Sequence, residues 1–331
     1  MSDQYELLKL MADGRFHSGS ELGEILGISR AGVWKKLQSA KVRYELEFDA
    51  VKGRGYRLKT PLELLDRSLI SNHLKGLGHT QVSEINVHTT IGSTNAWLMN
   101  QAQSGMASGS VCLAEQQSEG KGRHGRHWVS PFGRNLYLSV LFEFDLPPTQ
   151  VAGLSLASAV AVMRVLNQLD CQGAGLKWPN DVLWQGRKLA GLLLEVAGEA
   201  DGPSRVVVGV GLNTRLDGYA AGIDQPWVDL HGIPGLRPYS RNELAAWLIY
   251  HLSDVARQYA EQGFAGFVDE WHRHDLLLGK PVVIRSAREE IQGEHIGVDV
   301  SGGICLRIKD KTTVFHAGEV SLRSTNRAAL R

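Results

Sequence analysis

The sequence has few cysteines, no long apolar run and almost no net charge, and each of these absences excludes a class of protein. The cysteines Cys112, Cys171 and Cys305 stand alone without a Cys-x-x-Cys pair, so neither a zinc site nor a disulfide framework is expected. The polar N-terminus lacks a signal-peptide core, and no segment is apolar enough to span a bilayer, which predicts a cytoplasmic protein without membrane contact. A formal net charge of +1 excludes a strongly basic polyanion binder, so any contact with DNA must come from a local patch.

The chain is too long for one typical hydrophobic core, and its pattern of apolar and polar residues changes along its length. Residues 1–60 read as helices followed by a hairpin, and Pro61 opens a linker over 61–82. Residues 83–274 alternate helix-like and strand-like patterns, and 275–331 consist of short strands separated by turns. We therefore predict an α+β multidomain protein: a winged helix-turn-helix, a central mixed α/β domain with a substantially antiparallel sheet, and a small C-terminal β barrel.

The N-terminal unit has the pattern of a DNA-binding domain. Apolar residues at helical spacing form two short helices joined by a tight turn, and the hairpin after them has a basic, glycine-containing tip. The residues expected to contact DNA are Ser29, which also caps the second helix, with Arg30, Trp34, Lys35, Lys36 and, at the hairpin tip, Arg54. The alternative is a small oligomerisation module with a solvated basic face.

The segment 120–126 combines three glycines with four potentially cationic side chains. Glycine lets a backbone approach a ligand closely, and lysine and arginine supply directed donors, so such a loop is suited to wrap an anion. Its spacing satisfies the dinucleotide fingerprint G-x-G-x-x-G, which requires a helix opening on the last glycine. Pro131 and Gly133 leave no room for a long helix there, so a dinucleotide-binding fold is not expected.

Five motifs in this order resemble those of biotin protein ligases. They are Ser93-Thr94-Asn95, Gln117 beside the glycine loop, Lys177-Trp178-Pro179-Asn180-Asp181, the segment from Arg187 to Glu195, and Gly209-Val210-Gly211-Leu212-Asn213. Together with the helix-turn-helix and the small β segment, the chain resembles the bifunctional members that also repress the biotin operon. The sequence departs from that family at Lys121 and His124, where arginine is commoner, and lacks the glycine between 40 and 45 at which related proteins turn into the wing.

The resemblance implies an ATP-dependent reaction with Mg²⁺, in which biotin becomes biotinyl-5'-AMP and is then transferred to a lysine of a carboxylase's biotin carboxyl carrier domain. It also implies an SH3-like C-terminal barrel and a ligand-bound homodimer on operator DNA. Two alternatives remain: a lipoate or octanoate ligase, and a regulator that binds biotin or its adenylate without transferring it.

The resemblance also assigns site residues. The biotin-binding set is Ser93, Thr94, Asn95, Gln117, Lys121, Gly122, Arg123 and Lys177. The nucleotide-binding set is Arg123, Arg126, Trp128, Asn180, Asn213 and Trp227. Lys177 and Arg123 are expected to be catalytic, because adenylate formation gathers negative charge that fixed cations stabilise. Structural alternatives are helix capping for Ser93-Thr94, a salt bridge to Glu195 for Lys177, and core packing for the tryptophans. Asp181 either contacts magnesium or ribose or braces its turn, and the loops 116–127 and 215–227 are expected to order around the adenylate.

Overall fold

The computed structural model of the chain describes residues 3–79, 82–216, 218–219, 221–285, 290–316 and 321–324. The helices are α1 (Asp3–Met11), α2 (Gly19–Leu26), α3 (Arg30–Tyr44), α4 (Arg67–Gly76), α5 (Thr94–Gln103), α6 (Leu154–Gln168), α7 (Arg241–Gln262) and α8 (Val268–His274). The strands are β1 (Phe48–Val51), β2 (Gly55–Leu58), β3 (Glu84–His88), β4 (Ser110–Ala114), β5 (Leu136–Phe144), β6 (Ala174–Lys177), β7 (Asp181–Trp184), β8 (Arg187–Gly198), β9 (Ser204–Leu212), β10 (Pro281–Arg285), β11 (Glu290–Val298), β12 (Ile304–Ile308), β13 (Lys311–Phe315) and β14 (Ser321–Ser324).

The N-terminal unit is the predicted helix-turn-helix with a wing. Ser18 opens α2 with a capping box, and the Ser29 hydroxyl accepts a hydrogen bond from the amide of Gly32, as expected for the N-cap of α3. Strands β1 and β2 form the antiparallel hairpin, and His17 extends it by exchanging two backbone hydrogen bonds with Tyr56. The wing is thereby fixed to the turn that precedes α2.

The turn from α3 into the wing is made without glycine. Glu45 is the C-cap of α3 and adopts the left-handed conformation with φ of 55°. A glycine would adopt this conformation at lower cost, since it has no Cβ to meet the following carbonyl. Tyr219 of the central domain donates a hydrogen bond to the Glu45 carbonyl at 2.5 Å, on the outer side of this turn. The wing geometry that the sequence left open is therefore reached with a glutamate.

The central domain is built on a seven-stranded sheet in the order β3-β4-β5-β9-β8-β7-β6. Only β3 and β4 pair in parallel within it, which confirms the mixed, substantially antiparallel sheet. Helix α5 covers one face, and α6 and α7 cover the other. Helix α6 is buried along nearly all its length, as its apolar sequence predicts. Within the expected linker, α4 is a helix whose Ile70 and Leu74 pack into this core.

The C-terminal strands form a five-stranded antiparallel sheet in the order β13-β12-β11-β10-β14. It is attached to the central domain through Trp178, whose indole nitrogen donates to the carbonyl of Gly302 at 3.0 Å. Since Trp178 is almost completely buried, the two units share a contact that excludes water.

One side chain of the central domain belongs to the core of the winged helix. Phe132 packs with Leu62 and the buried residues of α1 and α3, and its ring lies 4.2 Å from that of Tyr44, centroid to centroid. Gly133 makes this approach possible, because it adopts φ of 66° and a Cβ there would lie 3.3 Å from Leu62. The two domains therefore meet through a shared hydrophobic contact.

Candidate active site

Two glycines on β9 shape the floor of the site. Gly209 and Gly211 lie two residues apart on one strand, so both face the same side of the sheet. A Cβ on Gly209 would lie 2.1 Å from Oδ1 of Asn95, and one on Gly211 would lie 2.5 Å from the indole of Trp128. The Gly-Val-Gly motif is thus required sterically: one glycine admits Asn95 and the other admits Trp128.

A buried cluster of hydroxyl and amide groups lies at the N-terminus of α5. The Gln117 side-chain oxygen accepts hydrogen bonds from the Thr94 amide at 2.8 Å and the Thr94 hydroxyl at 3.0 Å. Ser139 of β5 lies within 2.7 Å of the Thr94 hydroxyl and 2.6 Å of Asn95 Oδ1, and Asn95 donates to the Leu193 carbonyl. This cluster presents neutral donors and acceptors without a formal charge, as an uncharged polar ring requires.

Ser93 caps α5, as the structural alternative proposed, and its hydroxyl accepts a hydrogen bond from the Ala96 amide. Gln117 is the member of the cluster that reaches the glycine loop, because its amide nitrogen lies 3.3 Å from Ser130 Oγ. Ser130 and Ser139 were missed in the sequence. Neither stands in a motif, and only the pairing of β5 with its neighbours brings Ser139 beneath Thr94.

The glycine loop is closed on itself. Gly122 donates to the Arg126 carbonyl at 2.7 Å, and Trp128 donates to the Gly120 carbonyl at 2.8 Å. Its tip is a single 3₁₀ turn over Arg123–Gly125, so no helix opens on Gly125 and the expectation against a dinucleotide-binding fold is confirmed. Positive φ at His124 and Gly125 turns the chain back.

The cations of this loop differ in their surroundings. Lys121, His124 and Arg126 are exposed, whereas Arg123 is half-buried. Burial lowers the pKa of the Arg123 guanidinium from its ordinary value, and the negative charge of Asp181 opposes that effect. Arg123 is therefore the loop cation that faces the interior of the site.

Lys188 is a site residue that the sequence reasoning missed. Its ammonium group lies 2.7 Å from Asp181 Oδ1 and 5.3 Å from the centre of the Trp128 ring, with both ion-pair side chains less than one-fifth exposed. A Cβ on Gly191 would lie within 3.3 Å of the Lys188 ammonium group, so the side chain of this lysine passes directly over Gly191. The motif Arg187-Lys188-Leu189-Ala190-Gly191 was the available signal, but only the pairing of β7 with β8 shows which of its side chains enters the site.

Lys177 stands further along the same face. The cross-strand partners Lys177, Asp181, Gly191 and Gly211 form one row over β6, β7, β8 and β9, and directly paired residues of antiparallel strands share a face. Lys177 is half-buried and lies opposite Asp181. Lys177 belongs to this row, and Lys188 lies close to Gly191 and to the Trp128 ring.

The remaining nucleotide-site candidates are held by the protein itself. The Asn213 amide donates to the carbonyls of Lys188 and Val228, and its oxygen lies 3.4 Å from Asn135 Nδ2. Asn180 donates to the Leu192 carbonyl at 2.7 Å. Trp227 is half-buried and pairs with Lys188 through a parallel β-bridge. Asn213 and Trp227 thus anchor the segment that follows β9 against Lys188.

The DNA-binding candidates lie on the exposed side of the winged helix. Arg30, Trp34 and Lys35 are exposed on α3, with 51% of Trp34 accessible, while Lys36 is half-buried beside the packed face. At the wing, Arg54 lies 4.3 Å from the centre of the Phe16 ring, a cation–π distance that directs its guanidinium. An exposed tryptophan between cations is unusual on a solvated helix and is suited to contact a nucleic acid.

The described part of the chain contains no helix that is long and apolar enough to cross a membrane. Across those residues, no three histidine, cysteine, aspartate or glutamate side chains are grouped to hold a metal ion. Cys112 and Cys171 are buried and unpaired, and burial raises the pKa of Cys171 to about 11.

Comparison with protein families divides the chain into three parts. Residues 4–57 match the helix-turn-helix (HTH) domain, 87–213 match the biotin/lipoate A/B protein ligase family, and 277–323 match the biotin protein ligase C-terminal domain.

Relatives match over nearly the full length. The bifunctional ligase/repressor BirA of Escherichia coli is 35% identical, with 97% of this chain and 98% of that protein covered. The biotin–[acetyl-CoA-carboxylase] ligase of Mycobacterium tuberculosis is 34% identical, covering 80% of this chain and 97% of that protein. Among solved structures, a biotin protein ligase from Aquifex aeolicus in complex with biotin and ATP matches with a TM-score of 0.63 and 26% identity, covering 73% of this chain and 100% of that one.

Proposed function

We propose the following mechanism for this chain, which belongs to the biotin protein ligase family and, with its helix-turn-helix domain, to the bifunctional ligase/repressors within it. The chain activates biotin with ATP to biotinyl-5'-AMP and transfers the biotinyl group to a lysine of a carboxyl carrier domain. The observation that carries this proposal is a neutral hydroxyl–amide cluster beside a group of half-buried cations on one glycine-floored sheet face.

The neutral cluster binds the ureido ring of biotin. Thr94, Asn95, Gln117 and Ser139 hold one another through hydrogen bonds, so their donors and acceptors are ordered before the ligand arrives. Preorganised groups lose little conformational entropy on binding. A ring with N–H donors and a carbonyl acceptor can pair with the remaining donor and acceptor positions of this cluster, whereas an apolar ring or chain would exclude water from them without replacing its hydrogen bonds. This difference favours biotin over lipoate or octanoate.

The cations serve the activation step. A carboxylate oxygen of biotin attacks the α-phosphorus of ATP, the bond to the β-phosphate oxygen breaks, and pyrophosphate leaves. Both reactants are anionic, so the site must offset their repulsion with charges already in place. Lys177, Lys188 and Arg123 supply these charges, and Asp181 orients Lys188 through their ion pair. In the second step the amine of the carrier lysine attacks the biotinyl carbonyl carbon, and AMP leaves.

Lys177 keeps the catalytic role expected from the sequence, and we add Lys188 as a second lysine of the activation step. Lys188 contacts Asp181 and lies over Trp128, at the centre of the glycine floor. Lys177 extends the same row of side chains and adds positive charge to that face. Lys121 and Gly122 contribute backbone on the biotin side of the closed loop, and Arg126 is available for phosphate oxygens from its exposed position.

The nucleotide lies towards Trp128 and Trp227. Asn213 acts indirectly, because its amide is engaged by backbone carbonyls and by Asn135, and it holds the segment 213–216 in place. Asn180 similarly fixes the start of β7 against β8. Glycine-rich loops at 120–126 and 215–227 then cover the adenylate and keep water from it, which a mixed anhydride requires.

Magnesium fits this site only when it binds together with the nucleotide. The Asp181 carboxylate is paired with Lys188, and the described residues bring no acidic cluster to the phosphate side. When bound, the ion would neutralise phosphate charge, and Asp181 is the nearest carboxylate in the cation group.

The winged helix makes the ligase a regulator. Arg30, Trp34 and Lys35 would enter the major groove on α3, and Arg54 would follow the DNA backbone from the wing. An operator with two half-sites requires two such domains, so we propose that the ligand-bound chain binds it as a homodimer. Repression then responds to the supply of biotinyl-5'-AMP.

Incubation with ATP, labelled biotin and a carrier domain tests the ligase activity, with lipoate and octanoate as competing substrates. Label on the carrier lysine, dependent on ATP, is the expected result. Transfer of lipoate in place of biotin would establish the first alternative. Tight retention of biotin with no transfer to any carrier would establish a binding regulator.

A further inference from the structure

A buried ion pair lies between the winged helix and the ligand loops. The Glu115 side chain is fully buried and that of Arg241 is 7% exposed, with Oε2 and Nη1 2.9 Å apart. Burying charges costs free energy unless they are paired and hydrogen-bonded, and here both carboxylate oxygens of Glu115 and both terminal nitrogens of Arg241 have partners. Glu115 follows β4 directly, and Arg241 begins α7.

The pair fixes the segment 63–66, which leads from the winged helix into the central domain. The amide of Leu65 donates to Glu115 Oε1 at 2.5 Å, and Arg241 donates to the Glu63 carbonyl. The Glu63 carboxylate accepts from the backbone amide of Arg241 at 2.8 Å, at the N-terminus of α7, where negative charge is favourable. Asn242 adds contacts to Glu63 and Asp66. The interdomain segment is therefore bound through this group of residues.

The same pair reaches both ligand loops. Glu115 is two residues before Gln117, and its carbonyl accepts from the Gly133 amide at 3.0 Å, on the far side of the glycine loop. Arg241 donates to the carbonyl of Asn135 at 2.8 Å. The Asn135 side chain in turn accepts from the amides of Thr214 and Arg215, the first residues of the loop after β9.

We propose that Glu115 is a positioning residue that sets both ligand loops against the interdomain segment. It contacts neither biotin nor ATP. It acts through Gln117 on one side and through Arg241 and Asn135 on the other, so displacement of one loop is transmitted to the other and to the segment that carries the winged helix. The inference rests on the proposed ligase function, because the two loops are those that hold biotin and the adenylate.

The test compares Glu115→Gln with Glu63→Ala in the full-length chain. Glu115→Gln preserves size but turns one acceptor into a donor facing Arg241 or the Leu65 amide. We expect the KM values for biotin and ATP in pyrophosphate release to rise about tenfold with a much smaller change in kcat. The value of kcat changes little because the bound complex still contains Lys188 and Arg123. The KM values rise because part of the binding energy is used to return the loops to their positions. A purely structural role would lower the melting temperature without separating KM from kcat.

Glu63→Ala is the matched variant, since it removes the carboxylate contacts of the interdomain segment with Arg241 and Asn242 and leaves Glu115, Arg241 and Asn135 in contact. We expect wild-type KM values but a loss of part of the increase in operator-DNA affinity that biotin and ATP produce, because the backbone contacts of the segment remain. Near-wild-type KM values in folded Glu115→Gln would overturn the proposal.

Should Glu115→Gln fail to fold, the operator assay with Glu63→Ala decides, and an undiminished increase there overturns the proposal. Wild-type protein that does not biotinylate a carrier would instead contradict the proposed function itself.

Discussion

Replacing Phe132 by alanine should loosen the winged helix while leaving the catalytic chemistry in place. Phe132 is 1% exposed and its ring packs against that of Tyr44, the last residue of α3. A buried phenylalanine-to-alanine change costs about 3–5 kcal/mol, because the transfer free energy is lost and a cavity remains. About 0.5–1.5 kcal/mol of this belongs to the aromatic pair. The cost falls on the contact between the domains, since Phe132 packs with the N-terminal core.

Thermal unfolding of the full-length protein measures this effect. For a unit of this size, a loss of about 3 kcal/mol corresponds to a melting temperature lower by roughly 10–20 °C. Operator affinity should fall with it, while pyrophosphate release from biotin and ATP stays close to wild type. Phe264→Ala is the control, because Phe264 is equally buried but packs in the central core, and it should lower the central transition instead. An unchanged N-terminal transition in Phe132→Ala would refute the shared core.

Three further results follow from the site. Lys177→Ala and Lys188→Ala should each slow adenylate formation about a hundredfold or more in single-turnover pyrophosphate release, the scale of a lost charge-assisted contact. A near-wild-type rate for either variant would remove that lysine from the mechanism. Arg123→Gly should release biotinyl-5'-AMP to solvent, so labelling of a bystander protein without a carrier domain should increase, and wild-type labelling would contradict a covering role. Deletion of residues 1–60 should abolish operator binding and leave a protein that still forms adenylate. Because the deletion exposes Phe132, the shortened protein should aggregate more readily than the full-length chain. Light scattering of the shortened protein with and without Phe132→Ser measures this effect, and equal scattering of the two would contradict it.

The sequence predicted much of the fold because its signals were local. Ser29 has the N-cap role expected from its place before a cationic helix. Periodicity and capping residues act within a few positions of the chain, so they are visible without knowledge of tertiary contacts. The mixed sheet and the three-part organisation followed from the same patterns.

The sequence could not show contacts that depend on strand register. Lys188 follows Arg187 and is not flanked by apolar residues on both sides in the sequence, and only the pairing of β7 with β8 places Asp181 beside it. Phe132 reads as part of a loop between Pro131 and Gly133, and its partner Tyr44 is distant in the chain. Glu45 offers no local sign of a left-handed conformation, because the surrounding packing determines that turn.

The contact of Trp178 with Gly302 has a consequence for how such proteins can be recombined. Lys177 and Asp181 face the ligand side of the sheet, and the indole between them is bound by a turn of the C-terminal sheet. Gly302 has φ of 86°, and a Cβ there would lie 3.2 Å from the Cα of Gly153. A C-terminal domain transplanted from a relative would therefore have to bring a glycine-compatible turn of the same shape. The Lys-Trp-Pro segment of the central domain and the turn of the C-terminal sheet that binds its tryptophan would therefore have to be exchanged together. A chimera joined at the boundary between the two domains would separate them.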